Sequence, residues 1–217
     1  MSASDAIRVA DLRFAYGDRS ILSIDACALP RGESLAVIGP SGCGKTTFLH
    51  LLAGLLRPAS GTIEIFGQDL AGLRGAALDR FRGRHIGLIF QRFHLLPALT
   101  VLDNVLLAQR LARIPVNRKR ADELFERLDL RGLERHKPAM LSQGQAQRVA
   151  IARALIHEPE LVMADEPSSA LDDQNAEQAL ALLKSSAQAA GAALLLVTHD
   201  QRARGHLKHV LELEQLP

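Results

Sequence analysis

The feature that most constrains this chain is a glycine-rich stretch, Gly39-Pro40-Ser41-Gly42-Cys43-Gly44-Lys45-Thr46, set between an apolar run at Ser34–Ile38 and a helical pattern over Thr46–Leu55. It matches GxxxxGK[ST], and strand, loop and helix stand in the order that this pattern requires. Glycines let the backbone curl until successive N–H groups point at phosphate oxygens, and the helix N-terminus adds the positive end of its dipole. Lys45 can neutralise charge on β and γ phosphates, and the Thr46 hydroxyl can ligate the Mg²⁺ that bridges them. The stretch predicts nucleotide binding without naming the reaction.

Strand-like runs surround this unit. Ile7–Phe14 alternates, Ile21–Leu29 follows, and Pro30-Arg31-Gly32 turns the chain into Ser34–Ile38. Arg57-Pro58 ends the helix after the loop, Thr62–Phe66 lies between two glycines, and Ile86–Phe90 holds no charged residue. From Gln91 to His157 the spacing is helical, with patterns at Val101–Ala112, Arg118–Leu128 and Ser142–His157. Strands return at Leu161–Ala164, Ala192–Val197 and Val210–Leu213, with a helix over Asp173–Ala190 between the first two. Charge-free strands separated by helices indicate an α/β fold with a mostly parallel sheet covered on both faces. At 217 residues the chain reads as a single domain: an α/β core over 1–90 and 158–217, interrupted by a helical insertion over 91–157.

Ligands of open α/β sheets bind at the carboxyl ends of the strands. The run Leu161–Ala164 ends in Asp165 and Glu166, two adjacent carboxylates that point differently. Asp165 is assigned to Mg²⁺ through its water shell, and Glu166 to polarising an attacking water as general base. A second apolar run ends in His199, whose imidazole could reach a γ-phosphate or that water. Gln91, at the end of Ile86–Phe90, offers an amide that could sense Mg²⁺ or the water. The remaining histidines, His50, His85, His94, His136, His157, His206 and His209, read as structural.

A net charge of only +2 gives no surface selected for nucleic acid. Cys27 and Cys43 are expected to be reduced, because a disulfide at Cys43 would obstruct the loop, and this points to a cytoplasmic compartment. The first residues show no signal peptide, and no apolar run approaches the ~18 residues that span a bilayer. A membrane role therefore has to come through a partner.

The segment Leu141-Ser142-Gln143-Gly144-Gln145, followed by Ala-Gln-Arg-Val-Ala-Ile-Ala-Arg-Ala-Leu, resembles the LSGGQ signature of ABC ATPases and the helix after it. Other motifs fall in that family's order. Tyr16 sits where an aromatic stacks on adenine, Gly39–Thr47 looks like the Walker A loop with Thr47 closing it, and Gln91 looks like the Q-loop. Leu161–Glu166 resembles Walker B, Ser169–Asp172 the D-loop and His199 the switch histidine. The resemblance covers essentially the whole chain. It implies a P-loop NTPase core with an antiparallel N-terminal β-subdomain and an inserted α-helical signature subdomain. It also implies hydrolysis of ATP with Mg²⁺, and a homodimer in which Ser142, Gln143, Gly144 and Gln145 close over nucleotide bound by the other copy. Gln143 departs from the family pattern, which has glycine there, and Ser168-Ser169 replaces a common Thr-Gly.

The stretch Arg82–Val105 is similar to the lipoprotein-release, macrolide-export and cell-division group of bacterial ABC ATPases. That likeness implies an integral-membrane permease partner, a position on the inner face of the cell membrane, and export or extraction of a lipophilic or peptide-like substrate. Residues 92–99 would form the groove for the partner's coupling helix, with Phe93, Leu95 and Leu96 as apolar contacts or as core of the helical subdomain. ATP-driven signalling to an extracytoplasmic partner without transport is the alternative. A soluble ABC ATPase acting on DNA or ribosomes, and a P-loop kinase, fit the residues less well.

Overall fold

A computed structural model describes residues 5–167, 173–200 and 203–216. The expected D-loop, Ser169–Asp172, lies outside the described residues. In chain order the elements are β1 (Ile7–Tyr16), β2 (Arg19–Leu29), β3 (Ser34–Ile38), α1 (Lys45–Leu52), β4 (Ser60–Ile65), β5 (Gln68–Asp69), α2 (Ala76–His85), β6 (Ile86–Ile89), α3 (Val101–Leu111), α4 (Arg118–Arg127), α5 (Gln143–Leu155), β7 (Leu161–Asp165), α6 (Asp173–Ala189), β8 (Ala193–Thr198), α7 (Ala203–His206) and β9 (His209–Glu212).

Among the described residues the strands form two sheets. One is antiparallel, in order β2-β1-β4-β5; the other is parallel, in order β6-β7-β8-β3-β9. Period-two alternation in the parallel sheet divides the core in two. Ala36, Ile38, Val162, Ala164, Leu194 and Leu196 face one way, onto α3, α4, α5 and α6. Leu35, Val37, Leu161, Met163, Leu195 and Val197 face the other, onto α1 and the antiparallel sheet. Burial on both faces is why these strands carry no charge before their last residue.

In β1 the alternation changes phase. Ile7 and Val9 are buried, then Leu12 and Phe14, and the slip falls at Asp11, which adopts φ 51°. The register against β4 shifts at the same place. A Cβ on the facing Gly61 would lie 2.4 Å from the Asp11 carbonyl oxygen, so the bulge requires glycine opposite it.

Helix α1 stops earlier than Arg57-Pro58 suggests. Gly54 takes φ 65°, and the Leu55 N–H donates to the His50 carbonyl at 2.8 Å, a left-handed glycine cap that ends the helix before the proline is reached. Helix α2 carries no fully buried residue; Leu78 and Phe81 alone pack half-buried against the core, too short an apolar stripe to announce the helix between Gly67 and Ile86. Helices α3, α4 and α5 lie between β6 and β7, where the helical spacing over Gln91–His157 places them.

Candidate functional site

Parallel pairing sets the site's residues level with one another. Ile38 of β3 pairs with Thr198 of β8, and Asp165 of β7 pairs with Val197. The loop that begins at Gly39 therefore leaves the sheet beside Glu166 and His199, at the carboxyl edge.

The loop's glycines meet specific backbone demands. The Leu213 N–H donates to the Ile38 carbonyl at 2.8 Å, and a Cβ on Gly39 would fall 2.4 Å from the Leu213 carbonyl oxygen. Gly44 caps α1 at φ 95°, a conformation that glycine adopts without steric cost. Lys45 is buried, and its Nζ donates to the carbonyls of Gly39 and Pro40, each at 2.9 Å, with Glu166 Oε1 at 4.0 Å. Cys43 is buried, Cys27 is half-buried with its thiol pushed up to about 11 by burial, and both are free.

Thr46, at the start of α1, donates from Oγ1 to both oxygens of Asp165, at 3.1 and 3.0 Å. Burial pushes the Asp165 carboxyl above the usual carboxylate range, more than the Thr46 hydrogen bond lowers it, and the neighbouring Glu166 charge raises it further. A hydroxyl and a carboxylate are the hard oxygen donors that suit Mg²⁺, which takes few protein ligands and keeps several waters. The described residues hold no cluster of three or more His, Cys, Asp or Glu side chains that would make a protein-only cage.

Glu166 follows with φ 45°, a left-handed conformation that costs a non-glycine residue about 1–2 kcal/mol. Its N–H donates to the Val197 carbonyl at 2.8 Å, which fixes the residue across to β8. The carboxylate accepts from the Thr198 hydroxyl at 3.2 Å and the His199 N–H at 3.0 Å, and it lies 2.8 Å from His199 Nδ1. This is a half-buried carboxylate held by three groups of one neighbouring strand end.

Residues 22–169 match the model of the ABC transporter family. The chain belongs to that family. An uncharacterized ABC transporter ATP-binding protein of Mycobacterium bovis is 40% identical over 213 residues, which is 95% of this chain and 64% of that protein. The chain thus spans under two thirds of the length of that relative. The lipoprotein-releasing system ATP-binding protein LolD of Chromohalobacter salexigens is 43% identical over 207 residues, 93% of this chain and 87% of its own length. Among solved structures, the dimeric post-hydrolysis state of the ATP-binding cassette MJ0796 bound to ADP and Pi aligns with TM-score 0.82 at 33% identity, covering 97% of each chain.

In this ABC transporter chain the structure brings together Lys45, Thr46, Asp165, Glu166 and His199. Pro40, Ser41, Gly42 and Thr47 belong to the same loop and helix start, whereas Gln91 follows β6 at an exposed position. Tyr16 ends β1, 56% exposed, edge-on to Phe14 at 4.8 Å between ring centroids. Ser142 caps α5 in a reciprocal box: its hydroxyl accepts from the Gln145 N–H, and the Gln145 side chain accepts from the Ser142 N–H. Gln143 and Gly144 are exposed on the first turn, and among the described residues a Cβ on Gly144 would meet nothing within 4 Å.

Sequence reasoning missed four side chains that shape the site. Thr198 is fully buried and shares Glu166 with His199; its only signal is a hydroxyl at a strand end. Gln147, buried on α5, donates to the Pro167 carbonyl at 3.2 Å. Asn104 holds the Leu96 N–H and the carbonyls of Leu96 and Thr100. Arg153 donates to the carbonyls of Phe93 and His94 at 2.5 and 2.8 Å.

These last two contacts decide the segment after Gln91. Phe93 and Leu95 are turned inward onto the core between α3 and α5, and of the three apolar residues there only Leu96 is exposed. A cleft of about 850 Å³ opens beside it, between α2, β6, α3 and α5, with Leu88, Phe90, Leu96 and Leu107 among its apolar walls. Arg80, Arg82, Arg110, Arg113 and Arg153 also line it, against Asp79 as the acid. His157 reaches it too; burial holds its imidazole below the usual value, and Nε2 meets the Ile86 carbonyl at 3.2 Å.

Proposed function

We propose that this chain is the ATP-hydrolysing subunit of a bacterial ABC transporter, acting as a homodimer against an integral-membrane permease. The observation that carries the reading is the convergence of Lys45, Thr46–Asp165 and Glu166–His199 at one sheet edge. Loop N–H groups and Lys45 bind the phosphates, and Thr46 and Asp165 would hold Mg²⁺, which would supply charge neutralisation for the β and γ oxygens. Tyr16 offers its exposed ring to adenine. Glu166, oriented by Thr198 and His199, accepts the proton of the attacking water, while His199 and Gln91 position that water and the γ-phosphate.

The signature requires a second copy. Glycine is a poor helix former, and among the described residues Gly144 has no close neighbour in its own chain to demand it. An approaching phosphate from the other copy supplies that demand, at a helix N-terminus whose dipole favours it. The dimeric MJ0796 cassette, bound to ADP and Pi, supports both the dimer and hydrolysis.

No described helix is long and apolar enough to cross a membrane, so coupling passes through the permease. The arginine-lined apolar cleft beside Leu96 suits an amphipathic segment of that partner, and this supports a position on the inner membrane face. Likeness to a lipoprotein-releasing ATP-binding protein supports export or extraction of a lipophilic or peptide-like substrate. The test is Glu166→Gln. It should retain ATP affinity, lose hydrolysis by roughly 10²–10⁴-fold, the usual contribution of a general base, and accumulate an ATP-bound dimer on size-exclusion chromatography. Hydrolysis at the wild-type rate, with monomer only, would overturn the reading.

A further inference from the structure

The signature end of α5 and the strained glutamate are linked inside one chain. Gln147 lies one helical turn beyond Gly144, is 4% exposed, and donates through Nε2 to the carbonyl of Pro167 at 3.2 Å. Pro167 is the residue directly after Glu166 and is itself buried. Glu166 is held on its other side by its N–H to Val197. Its φ of 45° is thus set between an anchor on β8 and an anchor on α5. Because a left-handed non-glycine residue persists only where its surroundings over-determine it, loss of one anchor lets the backbone relax and swings the carboxylate away.

We infer that Gln147 is a positioning residue for Glu166, and that through it the N-terminal turn of α5 sets the aim of the carboxylate. This rests on the hydrolysis reading above. When Ser142 and Gly144 engage a nucleotide, any rotation of α5 is carried one turn along a rigid helix to the Pro167 carbonyl, and so to the general base of the same chain. Each copy's hydrolytic group then reports on whether that copy's signature is occupied.

Three variants test this in the full chain, alongside Glu166→Gln. Gln147→Leu removes the donor; it should leave ATP affinity and KM within about twofold and lower kcat about tenfold, a factor of about 1.4 kcal/mol. Gln109→Leu is the matched control, since Gln109 is an equally buried amide in the same helical insertion that bonds the Ile156 carbonyl and the Asn117 N–H. It should lower Tm as much as Gln147→Leu does, yet keep kcat. Gln147→Glu can donate to Pro167 only when protonated, so its kcat relative to wild type should fall as pH rises. The inference is overturned if Glu166→Gln is stalled while Gln147→Leu turns over at the wild-type rate. Equal kcat losses in the Gln109 and Gln147 variants, or a flat pH ratio for Gln147→Glu, overturn it as well. Wild-type hydrolysis by Glu166→Gln would instead remove the hydrolysis reading itself.

Discussion

Glu166 and His199 follow adjacent parallel strands, and Nδ1 of the histidine lies 2.8 Å from the glutamate carboxylate while its backbone N–H donates to the same group at 3.0 Å. One residue thus grips the carboxylate twice, once through a side chain and once through the backbone. His199→Ala deletes the first contact and keeps the second. The expected result is a kcat reduced by about tenfold or more with ATP affinity unchanged. The loss should be smaller than that of Glu166→Gln in the same assay, because the base is misaligned and not removed. Equal losses would show that the histidine's hold on the water and γ-phosphate outweighs its hold on Glu166.

Two glycines of the site should respond oppositely to alanine. A Cβ at Gly39 would sit 2.4 Å from the Leu213 carbonyl oxygen and 2.8 Å from Cys43 Sγ, so Gly39→Ala must displace backbone and should lower both Tm and nucleotide affinity. At Gly144 a Cβ would meet nothing within 4 Å among the described residues, and alanine is the better helix former. Gly144→Ala should therefore match or exceed the wild-type Tm while impairing ATP-dependent dimerisation. Thermal melts and size-exclusion chromatography with ATP separate the two.

Lys45 spends two of its donors on the Gly39 and Pro40 carbonyls, which are backbone groups of the loop it serves. Lys45→Ala removes that internal clasp together with the phosphate charge. Calorimetric titration should give no measurable ATP binding, whereas the parallel sheet, packed independently of this side chain, should keep its far-UV circular dichroism.

Asp165 should make the nucleotide-free protein sensitive to pH. Its folded pKa is raised above the usual value of 3.8, chiefly by burial. A raised carboxyl pKa means that the native state binds the proton more readily than the unfolded state does. Stability from this group is then full below about pH 3.8 and is lost as pH rises through the folded value. At pH 7 and above, without metal or nucleotide, Asp165→Asn should melt higher than wild type, by about 2–4 °C for each kcal/mol regained in a chain of this size. The gap should close as pH falls towards the unfolded value. Added Mg²⁺ and nucleotide should stabilise the wild type more than the variant.

Much of this site was legible in the chain because its requirements are local. A curled phosphate loop needs glycines at set spacings, and a strand buried on both faces must be apolar until its last residue. Both are written within a few positions of Gly39, Asp165 and His199, whereas Ser142 was reached through the resemblance of its segment to the family signature. Helix α2 escaped the same reasoning because it buries no side chain fully and sets only Leu78 and Phe81 half-buried against the core, and the end of α1 was misplaced because the left-handed Gly54 acts before Arg57-Pro58 does.

What only the tertiary structure decided are contacts between residues far apart along the chain. Thr46 meets Asp165 across 119 positions because the sheet order sets β3 and β7 on either side of β8. Phe93 and Leu95 turn inward while Leu96 stays out because Arg153 and Asn104 hold the carbonyls on either side of them. Gln147 looks like any polar residue on a helix until packing buries it against Pro167. The sequence alone determined which groups could do the chemistry, since those demands repeat with the periods of strand and helix. Which groups hold which was settled by strand order and helix packing, because a buried hydrogen bond depends on position in space and leaves no periodic trace along the chain.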